Sequence, residues 1–109
     1  MTKLRLALVL GSTFVTSLAY ADTLEVGPGR PIGKPCEAFA KAKDGDTIQI
    51  DAAGDYKGDL CSITKNNLTI RGVNGRAKID GDGKTAGGKG IWNVAGNDTT
   101  IANIELFNA

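Results

Sequence analysis

Two cysteines, Cys36 and Cys61, are the residues of this 109-residue chain whose type and spacing point most directly to chemistry. In an oxidising compartment, a cysteine pair in a small domain forms a disulfide. A Cys36–Cys61 bridge would close a loop of roughly 25 residues and stabilise the fold by about 3 kcal/mol, because it restricts the unfolded chain. Two buried thiols are the alternative. Histidine is absent, which excludes Ser-His-Asp triads, Cys-His dyads and histidine metal sites.

Asp80 and Asp82 have the spacing that opens a calcium-binding loop. Such a loop needs a further oxygen ligand where this chain has Lys84, and a glutamate where it has Ile91. We therefore interpret this stretch as a Gly-Asp turn and predict no metal-binding residue.

Residues 83–85 read Gly-Lys-Thr, like the end of a phosphate-binding loop. That motif also needs a glycine at position 78, which is Lys78 here. Arg71, Arg76 and Lys78 form a small basic cluster around a turn, which we interpret as solvated surface. The sequence thus predicts no catalytic and no cofactor-binding residue.

A basic start, an apolar run over residues 6–18 and an Ala-x-Ala pattern ending at Ala21 are typical of a secretory signal peptide. We predict that residues 1–21 are removed, so that the mature chain begins at Asp22. A membrane anchor is the alternative, but the apolar run of about 13 residues is shorter than the ~20 needed to span a bilayer. The expected location is secreted or periplasmic, with no membrane contact once the signal is removed.

The mature chain would be one small, nearly neutral domain. Of 13 basic residues, Lys3 and Arg5 lie in the signal, which leaves 11 against 12 acidic residues. A net charge near −1 gives no electrostatic footprint for nucleic acid.

A strand over residues 24–26 and one helix are predicted before residue 46. Pro35 begins the helix, because its missing N–H costs nothing in a first turn, and apolar residues follow three and four apart up to Lys43. Asp44 and Gly45 are predicted to end it, with Gly45 in the left-handed conformation.

Short runs rich in Ile, Thr and Val, separated by Gly, Asp and Asn turns, predict strands in the rest of the chain. These strands cover residues 47–50, 60–63, 68–71, 77–79, 91–94 and 99–107, the last with a bend at Asn103.

Apolar residues recur at a spacing of 22, in one series of three and one pair: Ile48, Ile70 and Trp92, and Ile79 and Ile101. This period favours a solenoid whose coils each carry three short strands. Tyr56 and Trp92 are candidates for stacking on sugar rings, but the spacing places Trp92 in the core.

Four segments follow one another in a specific order: residues 39–50 with the pattern A-x-x-G-D-T-I, a G-x-Y at 54–56, N-L-T-I-R-G at 67–72, and I-D-G at 79–81. In this order they resemble the N-terminal part of right-handed parallel β-helix proteins of the pectate-lyase-like superfamily. The resemblance covers nearly all of the mature chain.

The resemblance implies an all-β, right-handed parallel β-helix with an N-terminal capping helix. Residues 22–46 would form the first strand and the cap, and residues 47–109 the first coils of an apparently truncated solenoid. The helix would cover the open end of the core, with Phe39 and Ala40 over the first coil, and Asp46 would accept backbone N–H groups at the turn. A small β-sandwich is the alternative fold.

For function, the resemblance implies a protein that processes acidic polysaccharide by elimination or hydrolysis, with calcium as a cofactor of the full-length protein. No family catalytic motif maps onto this chain, so we expect residues 22–109 to be structural and non-catalytic. We also expect poor solubility and self-association through the open end of the last coil. A non-catalytic surface or adhesin solenoid and a small carbohydrate-binding module are the alternatives.

Overall fold

The computed structural model describes residues 20–109. Most of the predicted signal peptide, residues 1–21, therefore lies outside the described residues. The elements follow one another as β1 (Thr23–Val26), α1 (Pro35–Lys41), β2 (Thr47–Asp51), β3 (Cys61–Ile63), β4 (Thr69–Val73), β5 (Ala77–Asp80), β6 (Trp92–Val94), β7 (Thr100–Ala102) and β8 (Ile104–Phe107). No helix in this part of the chain has the length and apolar character needed to cross a bilayer.

The strands stack as a parallel β-solenoid of about three turns. One sheet has the order β1-β2-β4-β7, a second pairs β3 with β6, and a third pairs β5 with β8. Every pair among these strands is parallel. The alternative β-sandwich is therefore wrong, because its sheets need antiparallel neighbours.

Coil 1 contains β2 and β3, coil 2 contains β4, β5 and β6, and coil 3 contains β7 and β8. The apolar side of each strand faces the space between the sheets. Ile48, Ile50, Ile70 and Ile79 are fully buried there. Burial of each side chain contributes about 1.5–3 kcal/mol. The apolar positions of the alternating sequence pattern are therefore the positions that form the core.

The predicted 22-residue period holds for one step only. Ile48 pairs with Ile70 as expected, but Ile70 pairs with Ile101, 31 residues further on. Trp92 pairs with Cys61 on a different sheet, so its place in the series is wrong although it is buried.

The second predicted pair is also wrong, since Ile79 stacks on Leu106 rather than on Ile101. The cause is the loop over residues 81–91, which leaves the coil in a turn closed by an antiparallel bridge between Ala86 and Gly90. Turns in a solenoid lengthen without disturbing the strand ladder, so coil length varies while the register is kept.

Helix α1 begins at Pro35 as predicted but ends at Lys41, two residues early. Ala42 is extended, with φ −67° and ψ 154°. Gly45 has the predicted positive φ, 89°, but it serves the turn into β2 rather than the helix end. The helix does not continue to Lys43, because the Lys43 N–H donates to Asp46 Oδ2 at 2.8 Å and not to a helical carbonyl.

The buried residues of the cap helix are Pro35, Ala38 and Phe39, whereas Ala40 is exposed. The expectation for Phe39 is confirmed and that for Ala40 is wrong, because Ala40 lies about 100° around the helix from Phe39, on its exposed side. The Phe39 ring meets Trp92 edge to face, with centroids 4.9 Å apart. The cap therefore touches coil 2 as well as coil 1.

Candidate functional site

The junction between the cap and coil 1 contains the disulfide that the sequence predicts. Cys36 lies in the first turn of α1 and Cys61 is the first residue of β3, with their Cα atoms 5.9 Å apart. Neither cysteine of the described chain is free. The bridge joins the helix to the sheet that it covers, and it is typical of an oxidising, extracytoplasmic environment.

Asp59 completes this junction, although it was not predicted from the sequence. Its Oδ2 accepts the Cys36 N–H at 2.8 Å, and its main-chain carbonyl accepts the Trp92 indole N–H at 3.1 Å. Burial raises the pKa of the Asp59 carboxyl, while the Cys36 N–H opposes that rise. Its partners lie 23 and 33 positions away in the sequence, so no short motif points to this role.

Asp46 performs the role that the sequence assigns to it, at the turn that leads from the cap into β2. Its side chain is 1% exposed and accepts the backbone N–H groups of Asp22 and Lys43, each at 2.8 Å. Burial alone would raise the pKa of Asp46, but these donors and the Lys43 ammonium bring it below its usual value. The carboxylate thus remains charged in the folded protein.

An open cleft of about 740 Å³ lies beside β1, between that strand and the loop over residues 27–33. Arg30 lines it and pairs with Glu25 and with Asp51, the latter through Nε at 3.2 Å and Nη2 at 2.9 Å. Since its guanidinium already binds two carboxylates of this chain, the cleft presents to a ligand an ion-paired cluster with one net negative charge and not an unpaired cation.

Asp51 connects the cleft to the core. Its Oδ1 accepts the Ala53 N–H at 2.9 Å, and its main-chain carbonyl accepts the Tyr56 hydroxyl at 2.6 Å. Tyr56 is 1% exposed, so its ring is core and does not present a face to a sugar. The Ala53 N–H and Arg30 lower the pKa of the Asp51 carboxyl.

This pKa shift predicts an acid-dependent loss of stability. A carboxyl whose pKa is lowered by folding stabilises the protein above its unfolded pKa of about 3.9, and the stabilisation disappears as pH falls through the folded value. Asp51→Asn should therefore flatten the fall in unfolding free energy below about pH 4. Denaturant titrations at a series of pH values measure this slope. Asp55→Asn removes an exposed carboxyl from the loop that follows β2 and is the matched control; equal slopes in both variants would contradict the assignment.

The remaining candidates are surface residues and turns. Asp80 Oδ1 accepts the Asp82 N–H at 2.8 Å, and Asp82 has a φ of 56°, which gives the predicted Gly-Asp turn. Arg71, Arg76 and Lys78 are exposed. Within residues 20–109, no three His, Cys, Asp or Glu side chains are grouped so that they could hold a metal ion.

The end of the solenoid opposite the cap carries four exposed apolar side chains, each about 40% accessible: Val94, Ile101, Leu106 and Phe107. We call this group the terminal apolar face. Ile101 stacks on Ile70, Leu106 on Ile79, and Val94 on Ile63. Each of these three residues is therefore the last member of a column and stacks directly on a buried residue.

A polar column runs along one line of turns beside the apolar ones. Asp44 Oδ1 accepts the Asn66 N–H at 2.8 Å, and Asn66 Oδ1 accepts the Asn97 N–H at 2.9 Å. Each side chain thus satisfies a backbone donor of the following coil. Asn97 is the last member of this column, and no hydrogen bond of its side chain is found among the described residues.

In comparison with known proteins, the chain matches no protein-family model, no curated protein and no solved structure. The parallel β-solenoid is therefore assigned from its own strand register. Four polar side chains, those of Asp44, Asp46, Asp59 and Asn66, each accept backbone N–H groups that hold one coil or the cap to the next.

Proposed function

We propose that this chain is the exported, capped first part of a parallel β-solenoid, and that its terminal apolar face receives a further parallel coil. Its role is structural. The cap closes one end of the core, and the terminal apolar face at the other end is the template, a set of apolar side chains and strand edges on which a further coil can stack. The observation that carries this proposal is that three buried apolar columns end on exposed residues.

The apolar columns define which side chains a further coil must contribute. A parallel strand placed on β7 would put an apolar side chain over Ile101, as Ile101 lies over Ile70. A strand on β8 would do the same over Leu106, and one on β6 over Val94. Each burial would remove apolar surface from water, and the edges of β6, β7 and β8 would gain backbone partners.

The polar column supports the same neighbour. The side chain of Asn97 occupies the position from which Asn66 accepts a backbone N–H of the following coil. A turn stacked on residues 96–98 would bring such a donor to Asn97. An apolar ligand or a membrane surface would cover the terminal apolar face but would not supply this hydrogen bond.

The two ends of the solenoid differ: one is covered by a helix and the other is the terminal apolar face. At the first end, α1 packs on β1, β2 and β3, and the disulfide holds it there. A solenoid needs such a cap because an end coil otherwise exposes its core. The terminal apolar face has no corresponding element among the described residues, so addition of strands is directed to that end.

Export rests on the predicted signal peptide together with the disulfide. The proposed membership of the pectate-lyase-like superfamily rests on the order of the sequence segments at residues 39–50, 54–56, 67–72 and 79–81 and on the parallel coils that they form. Acidic polysaccharide is the substrate class that this resemblance implies. Coils other than those of residues 22–109 would act on it.

Association of the exported protein tests the template. Without a further coil, the terminal apolar face should pair with a second copy, so sedimentation velocity should show mass rising with protein concentration. Leu106→Asp places a charge in that contact and should weaken association about tenfold or more, which corresponds to about 1.4 kcal/mol. The physical reason is that a carboxylate buried without a partner loses its hydration.

Ala40→Asp is the matched control, since Ala40 is exposed on the capped end and the change in charge is the same. It should associate like the wild-type protein. A wild-type protein that stays monomeric at all concentrations, or equal weakening by both substitutions, would overturn the template. Release of unsaturated products from pectate by this chain would overturn the non-catalytic role.

A further inference from the structure

The backbone nitrogen of Asp22 lies in a site built around a buried carboxylate. It donates to Asp46 Oδ1 at 2.8 Å, and Asp46 is 1% exposed. The main-chain carbonyl of Asp22 in turn accepts the Thr47 N–H at 2.9 Å. The residue before it, Ala21, is exposed, and Tyr20 is 75% exposed. The chain therefore enters the fold at the nitrogen atom of Asp22.

The charges around this nitrogen do not balance while the peptide bond is intact. The site contains the carboxylates of Asp22 and Asp46 and the ammonium group of Lys43. Lys43 Nζ lies 2.6 Å from Asp22 Oδ2 and 3.6 Å from Asp46 Oδ1. Two negative charges thus share one positive charge, and one of the negative charges is buried.

We propose that hydrolysis of the Ala21–Asp22 bond creates a charged α-amino group that pairs with Asp46 and fixes the mature N-terminus to the solenoid. This inference rests on the export that is part of the proposed function. An endopeptidase of the exporting cell would add water across the bond. The hydroxyl group goes to the Ala21 carbonyl and the hydrogen to the Asp22 nitrogen, which is protonated at neutral pH as the new Ala21 carboxyl ionises.

The cut would change the charge of the site without moving its atoms. The donor that already faces Asp46 Oδ1 becomes an ammonium group, so two positive charges meet two negative ones. The hydrogen bond to the ionised Asp46 then also gains the attraction between opposite charges at the same distance. Strand β1 starts at the next residue and pairs with β2 from Thr23 and Thr47 onward, so the new pair would hold the first strand of the four-stranded sheet at its end.

Selective acetylation of the α-amino group tests the pair. The processed protein is purified from the exported fraction, its first residue is established by intact mass, and the α-amino group is acetylated in the unfolded state before refolding. Acetyl-Asp22 keeps the N–H donor but loses the charge. We expect the unfolding equilibrium constant, from denaturant titration, to rise about tenfold.

Two variants separate this pair from a general effect of the modification. In Asp46→Asn the acetyl group should have little effect, because the charged partner is gone. Asp44→Asn makes the same change two residues away, where the carboxylate binds Asn66 instead, and should respond to acetylation like the wild type. If acetylation has the same effect in Asp46→Asn as in the wild type, the proposed pair does not exist.

A direct measurement covers the case in which Asp46→Asn fails to fold. Nitrogen NMR of the wild type should show an α-amino pKa above the value of about 8 found in unfolded chains. The charged groups facing it are Asp46, Lys43 and the carboxylate of Asp22 itself. An α-amino pKa at or below the unfolded value would overturn the inference. So would an exported protein that still carries Ala21, and neither result bears on association through the terminal apolar face.

Discussion

Opening the Cys36–Cys61 disulfide should lower the free energy of unfolding by about 3 kcal/mol. The bridge joins residues that are 25 apart in the sequence, so the reduced unfolded chain gains the entropy of a loop of that length. The folded state is affected as well, because α1 is only seven residues long and the bridge is a covalent link between it and coil 1. For a domain of this size, about 3 kcal/mol is a large share of the stability.

Denaturant titration of the oxidised protein and of the Cys36→Ala/Cys61→Ala protein measures the difference. Asp59→Asn is the comparison variant, because it weakens the hydrogen bond to the Cys36 N–H but leaves the covalent link in place, and its loss should be smaller. Equal midpoints for the oxidised and the cysteine-free protein would contradict the role of the disulfide. Two reactive thiols in the folded, exported protein would contradict its existence.

The elements of the fold were open to prediction because each one depends on local chemistry. Pro35 marks a helix start since it lacks only an N–H that a first turn does not use. The alternation in residues 47–50 identifies a half-buried strand. Asn103, with a φ of 59°, sits at the predicted bend between β7 and β8, because asparagine tolerates the left-handed conformation better than most residues.

The stacking of coil 3 on coil 2 was not open to prediction from spacing. Ile48 and Ile70 suggested a fixed period, but the next coil contains the loop over residues 81–91, and nothing local to Ile70 records that insertion. Register depends on which strands meet after the turns have closed, so a residue such as Trp92 can be correctly placed in the core and wrongly placed on its sheet.

Side chains whose hydrogen-bond partners are far away in the sequence were also not predicted. Asp59 and Asp51 accept hydrogen bonds from residues 23 and 21 positions away, Cys36 and Arg30, and such partners leave no mark in a short sequence window. The same applies to the terminal apolar face. An open end was expected from the apolar residues near 101–107, but Val94 joins the face only because β6 is the last strand of its sheet.

Gly72 shows how closely two coils approach each other. It is buried on β4, directly beneath the turn at Asn103. A Cβ atom at this position would lie 2.2 Å from the Asn103 carbonyl oxygen and 2.8 Å from the Ala77 nitrogen. These two atoms form a backbone hydrogen bond of 3.1 Å with each other. An added methyl group therefore meets main chain on both sides, and no side chain can turn away to make room.

Gly72→Ala should consequently lower the free energy of unfolding by about 3 kcal/mol, at the upper end of the cost of overpacking a core, because coils 2 and 3 must separate. Gly33→Ala is the matched control. A Cβ atom there meets nothing within 4 Å, so this variant should unfold at the wild-type midpoint or slightly above it. Denaturant titration monitored by Trp92 fluorescence compares the two proteins. If Gly72→Ala unfolds at the same denaturant concentration as Gly33→Ala, coil 3 does not pack on β4 as closely as the register of β4 and β7 requires.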